Sequence, residues 1–292
     1  MTTSTESYFK SHDHHRLFYR VTESRAPVGL APLGQIPKAV LIFVHGLNEH
    51  SGRYSNPVNY FSKKGYTLYL FDHRGHGKSD GLRSFVDDFD HYLHDLDEFI
   101  KLVAEQEKKK GDTPKIFIVG HSLGGQIVLN YVGRFKSVLA GWMTSSANIQ
   151  VAIKIPRLKK IVALQMARAF PRMSIPNDID PKWISRDQHV VRAYKSDPLV
   201  SKKVTLKLIA AILNNQKEIL DLAPKVRLPG LIMHAGDDHI CALDGSRKFF
   251  EKLGTSDKQL LVYDGFYHEL FNEFGKEKVF ADMEEWLEAH IS

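Results

Sequence analysis

The chain has 292 residues, of which 43% are hydrophobic and 25% charged, and a formal net charge of +6. That composition excludes a disordered chain, and a sole cysteine, Cys241, excludes an internal disulfide. No run of about 18 apolar residues is present, and the opening MTTSTESYFK has neither the charged nor the apolar region of a secretory leader, so a soluble cytoplasmic protein is expected.

SYFK and RLFYRV, on either side of the polar SHDHH, predict an antiparallel hairpin at a sheet edge. Six short apolar runs follow: AVLIFV (39–44), TLYLF (67–71), KIFIV (115–119), LAGWMTS (139–145), GLIMHA (230–235) and QLLVY (259–263). They are continuous where a half-exposed strand would alternate, which implies parallel strands covered on both faces. Between them, Phe89, Leu93, Leu96, Ile100 and Val103 keep a helical spacing, and Val279, Met283, Trp286 and Leu287 line one side of a C-terminal helix. Alternating strands and helices predict an α/β doubly wound sheet.

The alternation stops after Ser145, where about 80 residues rich in proline and basic side chains suggest an inserted cap. The expected division is 1–147 and 228–292 for the core and 148–227 for the cap. Residues 148–228 hold 16 Lys+Arg against 6 Asp+Glu, about +10, so the remainder is acidic. A basic face of this kind suits an anionic membrane leaflet; no nucleic-acid motif accompanies it. Within it, Leu158, Ile161, Val162, Met166 and Ala169 or Phe170 can share a helix face, either packed on the sheet or laid on a lipid surface.

The chemistry concentrates in Gly120-His121-Ser122-Leu123-Gly124, a GxSxG between a strand and the helix GGQIVLNYVGRF. A sharp strand-to-helix turn holds the serine hydroxyl out above the sheet, at the positive end of the following helix. A serine is a weak nucleophile until a base takes its proton, so a histidine and a carboxylate are required. His268 follows the last strand, and Asp237 and Asp238 follow the one before it; Asp238 is favoured to orient His268, with Asp237 as the alternative. Backbone N–H groups for an oxyanion are expected from Leu123, next to the serine, and from Leu47 in the loop after the first central strand.

HGLNEHSGRY (45–54), FDHRGHGKSDG (71–81), GHSLGG (120–125), YKSDPL (194–199), HAGDDHIC (234–241) and YHEL (267–270) together resemble the monoglyceride lipase and lysophospholipase branch of the α/β-hydrolases. The resemblance implies the α/β-hydrolase fold, with a mostly parallel sheet, helices on both faces and a helical cap. It implies Ser122, Asp238 and His268 as triad, Leu47 and Leu123 as oxyanion donors, and Glu49, Arg53 and Tyr194 around the polar head of a lipid ester. Departures are Leu123 where methionine is usual, Leu47 in place of a small residue, Asn272 where mammalian enzymes carry a second histidine, and Ala235 where glycine is frequent. The expected activity is monoacylglycerol hydrolysis, with lysophospholipase or short-chain carboxylesterase as alternatives and a non-catalytic binding protein as a remote one. No cofactor and no metal are expected. His12 to His15 read as a polar turn, while His73 with His76 and His91 with His94 lack a third ligand at a plausible spacing.

Overall fold

The computed structural model describes residues 4–24, 37–111, 113–152, 157–177 and 179–291, without the side chains of 157–160. Strands β1 (Thr5–Lys10) and β2 (Arg16–Thr22) form the antiparallel hairpin, ahead of β3 (Val40–Val44), β4 (Thr67–Phe71), β5 (Ile116–His121) and β6 (Leu139–Ser145). Short strands β7 (Ser174–Pro176) and β8 (Lys203–Thr205) pair with each other apart from the main sheet, and β9 (Gly230–Ala235) and β10 (Lys258–Tyr263) complete it. The main sheet has eight strands in the order β1-β2-β4-β3-β5-β6-β9-β10, parallel from β4 to β10. Its register pairs Val44 with Gly120 and His121 with Ser145, so the carboxyl ends that precede the functional loops lie side by side.

The continuous apolarity of the central strands has a direct cause: alternate residues face different layers. Val40, Ile42, Val44, Ile116 and Ile118 face one core, together with Leu93, Leu96, Phe99 and Ile100 of α2 (Asp90–Lys109) and Ile127, Val128 and Tyr131 of α3 (Leu123–Arg134). Leu41, Phe43, Phe117, Val119, Met143 and Met233 face the other, together with Phe61 of α1 (Ser55–Lys63) and Val279, Met283, Trp286 and Leu287 of α8 (Lys276–Ile291). Each fully buried Leu, Ile or Phe adds about 1.5–3 kcal/mol of hydrophobic stabilisation, so both layers hold the sheet flat side in.

Between β6 and β9 lie α4 (Arg157–Ala169), α5 (Gln188–Ser196) and α6 (Leu206–Leu222), with α7 (Leu243–Lys252) after β9. Helix α6 joins the main core through Leu208, Ile212 and Ile219 and packs on α3. Helix α4 packs on α6 through Leu164, Met166 and Ala167. Of the face expected from sequence, Met166 packs on α6, whereas Ile161 and Val162 point outward at 55% and 48% exposure and Phe170 beyond the helix is 58% exposed. The side chain of Leu158 lies outside the described residues.

Candidate active site

Strand β5 delivers Ser122 directly to the first turn of α3, with Ser122 at φ 53°, ψ −116°. A non-glycine residue in that region stores about 1–3 kcal/mol of strain, which surrounding contacts must hold. The flanking glycines explain how the turn is made. A Cβ on Gly120 would meet the carbonyl of Gly124, and one on Gly124 would meet the carbonyls of Val44 and His45. Two hydrogen bonds to the Ser122 carbonyl, from Gln126 N–H at 3.0 Å and Asn148 N–H at 2.9 Å, fix the corner.

The loop after β10 brings His268 to Asp238, with Nδ1 2.8 Å from Oδ2. The side chains are 6% and 1% exposed, so the pair is sealed from solvent. Asp238 Oδ1 also accepts from the N–H groups of Ile240 and Cys241 at 2.8 and 2.9 Å. Burial alone would raise the Asp238 carboxyl, but His268, then His234 and the Cys241 N–H, outweigh it and hold it below the usual range. An ionised carboxylate only accepts, so Nδ1 of His268 carries the proton and its other nitrogen remains available as a base. Burial disfavours the imidazolium, yet Asp238, Glu269 and Glu49 raise its pKa above the ordinary value. Asp237 is exposed, so the carboxylate facing His268 belongs to Asp238.

Ser122 and His268 border one cavity of about 30 Å³ together with Leu47, Ile179, Ile184, Tyr194 and Ile240. Leu123 opens α3, where the first N–H groups have no intrahelical partner. The loop that carries Leu47 is fixed by His45. The His73 N–H donates to His45 Nε2 at 2.9 Å, which leaves His45 Nδ1–H to donate to the Gly46 carbonyl at 2.8 Å. The Cys241 thiol is buried and donates to Asn148 Oδ1 at 3.7 Å; burial, then the Asp238 charge, push its pKa far above the ordinary value, while the neighbouring Ser122 opposes that rise.

Glu49, Arg53 and Tyr194 meet at the polar end of this cavity. Arg53 Nη1 donates to Glu49 Oε2 at 2.9 Å, and its guanidinium stands 4.8 Å over the Tyr194 ring. Sequence reasoning missed the partner that completes the clamp. Glu269 accepts from Arg53 Nη1 at 2.6 Å and from Nη2 at 2.9 Å, and Asn272 Nδ2 donates to it at 2.9 Å. Glu49 in turn accepts from the Gly46 N–H at 2.5 Å and the Tyr54 hydroxyl at 2.8 Å, which ties the polar pocket to the loop of Leu47. His121, the residue before Ser122, was also overlooked; its ring lies 4.8 Å from that of His268, and burial with that neighbour lowers its pKa to about 4.

A serine on a strained strand-to-helix corner, beside a buried His-Asp pair delivered by the last two strands of a mostly parallel sheet, defines an α/β-hydrolase. Residues 35–275 match the family model described as serine aminopeptidase, S33, and the chain belongs to that hydrolase family. Among its relatives, a monoacylglycerol lipase of Mycolicibacterium smegmatis is 30% identical over 87% of this chain and 90% of its own. The human monoglyceride lipase is 29% identical over 86% of this chain and 82% of its own. An uncharacterised abhydrolase domain-containing protein of Dictyostelium discoideum is 37% identical over 87% of this chain, which spans 27% of that longer relative. The solved structure of a soluble variant of the Saccharomyces cerevisiae monoglyceride lipase with a substrate analogue matches with a TM-score of 0.87 at 27% identity, covering 100% of this chain and 97% of that one.

Proposed function

We propose that the protein is a serine hydrolase of carboxylic esters that releases fatty acid and glycerol from monoacylglycerols. The buried Asp238-His268 pair beside Ser122 carries this reading. His268 takes the Ser122 proton as the hydroxyl attacks the ester carbonyl, and Asp238 stabilises the imidazolium that forms. The N–H groups of Leu47 and Leu123 receive the oxyanion. His268 then protonates the departing alcohol and later activates the water that frees the acid.

The polar pocket favours a neutral polyol head over a phosphodiester. Glu49 and Glu269 supply two carboxylates to one guanidinium, so the pocket is net negative and repels phosphate. The similarity to lipases that carry the monoglyceride name supports the same choice. Fatty-acid release from monooleoylglycerol and lysophosphatidylcholine, measured side by side, tests it. Preferential turnover of the glyceride is expected, and Ser122→Ala should lower it by roughly 10³-fold or more. Preference for the lysolipid moves the assignment to lysophospholipase, and activity confined to short acyl chains moves it to carboxylesterase.

Residues 148–227 serve as the cap, and its outer surface makes peripheral contact with anionic membrane. Ile161, Val162, Phe170 and Met173 are exposed apolar side chains in the most basic stretch of the chain. No helix among the described residues is long and apolar enough to cross a membrane. Salt-sensitive co-sedimentation with phosphatidylserine vesicles is expected, and absence of binding at low salt overturns it.

A further inference from the structure

The turn between β1 and β2 and the first two turns of α2 are 75 or more residues apart in the chain, yet they bring His12, Asp13, His91 and His94 together. The His12 ring stacks on His91 with centroids 5.3 Å apart and lies 5.0 Å from His94. One ligand atom each from His12, Asp13 and His91 falls within 4.8 Å of the others. Nδ1 of His91 is buried without a hydrogen-bond partner, 3.8 Å from Asp13 Oδ2. The His91 side chain is 30% exposed, yet this ring nitrogen makes no hydrogen bond beside a carboxylate, an arrangement that a shared cation would complete.

We propose that His12, Asp13 and His91 bind one divalent transition ion of the zinc type, with His94 within reach as a further ligand. Two imidazoles and a carboxylate match the donor preference of zinc, which is also met by copper and nickel and not by magnesium or calcium. A tetrahedral zinc ion sets its ligand atoms about 3.3 Å apart, so modest side-chain rotation from the 4.8 Å arrangement closes the site. The carboxylate is already held in place. Arg74 donates to both Asp13 oxygens at 2.8 and 3.0 Å and is itself held by the buried Asp95 at 2.6 and 2.7 Å. Such outer contacts are the usual support of a metal-ligating group. Asp13 and Asp95 against Arg74 leave one net negative charge to attract the ion. Asp13 and His91 also border a cleft of about 550 Å³ with Leu82, Phe85 and Arg172, which gives a hydrated ion its way in. The bound ion staples the edge hairpin to α2.

Calorimetric titration of the tag-free, chelator-treated full chain with zinc chloride tests the site. One ion per chain is expected, with His12→Gln and His91→Gln each weakening association at least tenfold. Cobalt should give the visible absorption of a tetrahedral ion in the parent chain and lose it in the double variant. Ester hydrolysis and metal-free melting temperature should be unchanged in these variants, which separates lost binding from misfolding. Absence of stoichiometric zinc binding by the parent chain, or equal binding by the double variant, overturns the proposal.

Discussion

Replacing Arg53 by methionine should expose how the polar end of the site is held together. The guanidinium is 9% exposed, and Glu49 and Glu269, each 6% exposed, flank it at 2.9 and 2.6 Å. Removing it leaves two carboxylates buried against each other. Breaking a buried ion pair from one side typically costs about 3–5 kcal/mol, because the remaining charge keeps its desolvation penalty without its partner. At about 2 °C per kcal/mol for a domain of this size, the melting temperature should fall by roughly 6–10 °C. The diagnostic is Glu269→Gln made in both backgrounds. In the native chain it weakens the clamp and destabilises; in Arg53→Met it removes the repulsion and stabilises. Urea unfolding followed by tryptophan fluorescence at pH 8 reads both effects. Equal destabilisation by Glu269→Gln in the two backgrounds would refute the reasoning. The pH dependence gives a second reading. Burial raises the Glu269 carboxyl, but Arg53 outweighs it and holds the folded-state pKa below 4.5, so its stabilising contribution is present above that pH and lost as pH falls through the depressed value. Without Arg53 that carboxyl rises instead, so the defect should shrink between pH 8 and pH 5.

Three further outcomes are expected. Burial lowers His76 and His121 to about 4 from 6.5, so the unfolded chain binds protons first and stability falls as pH drops from 6.5 toward 4, by on the order of 3 kcal/mol per group; equilibrium unfolding at pH 7.5 and 4 measures it. His268 is shifted the other way, so the acid limb of kcat/KM should lie above pH 6.5, and a limb below it would contradict the Asp238 pairing. Gly124→Ala drives a methyl into the carbonyls of Val44 and His45 and should cost several kcal/mol, seen as a lowered melting temperature or loss of soluble protein.

The parallel strands were legible because burial on both faces leaves a plain mark, a continuous apolar run of strand length. Ser122 was legible for a related reason: a corner that admits glycine at two fixed offsets constrains the sequence locally. Glu269 was not, since its partner Arg53 lies 216 residues away and no spacing rule joins them. Which side of α4 is covered was not legible, because apolar residues occur on both of its sides. Periodicity finds a stripe but does not say which neighbour covers it, and α6 covers Leu164, Met166 and Ala167. The short β7–β8 pair escaped notice because three-residue strands, one ending in Pro176, leave no alternation to read. His12 and His91 illustrate the same limit, as each group looks incomplete until the hairpin is laid against the helix.

The cavity beside Ser122 has a kinetic consequence. About 30 Å³ is room for a water molecule or two and not for an acyl chain, although Ser122 itself is only partly buried. Ile179, Ile184, Tyr194, Leu47 and Ile240 supply its aliphatic and aromatic lining. A substrate whose acyl chain needs these side chains to part would bind only the fraction of molecules in which they have, and its apparent affinity would be diluted by that fraction: a conformer populated at about 1% weakens binding about 100-fold. Anything that favours the parted form, whether a lipid surface or a smaller side chain at Ile179, raises the catalytic rate at low substrate without touching a reacting group. On the chemistry proposed at Ser122, throughput would then also depend on how often a few aliphatic side chains step aside.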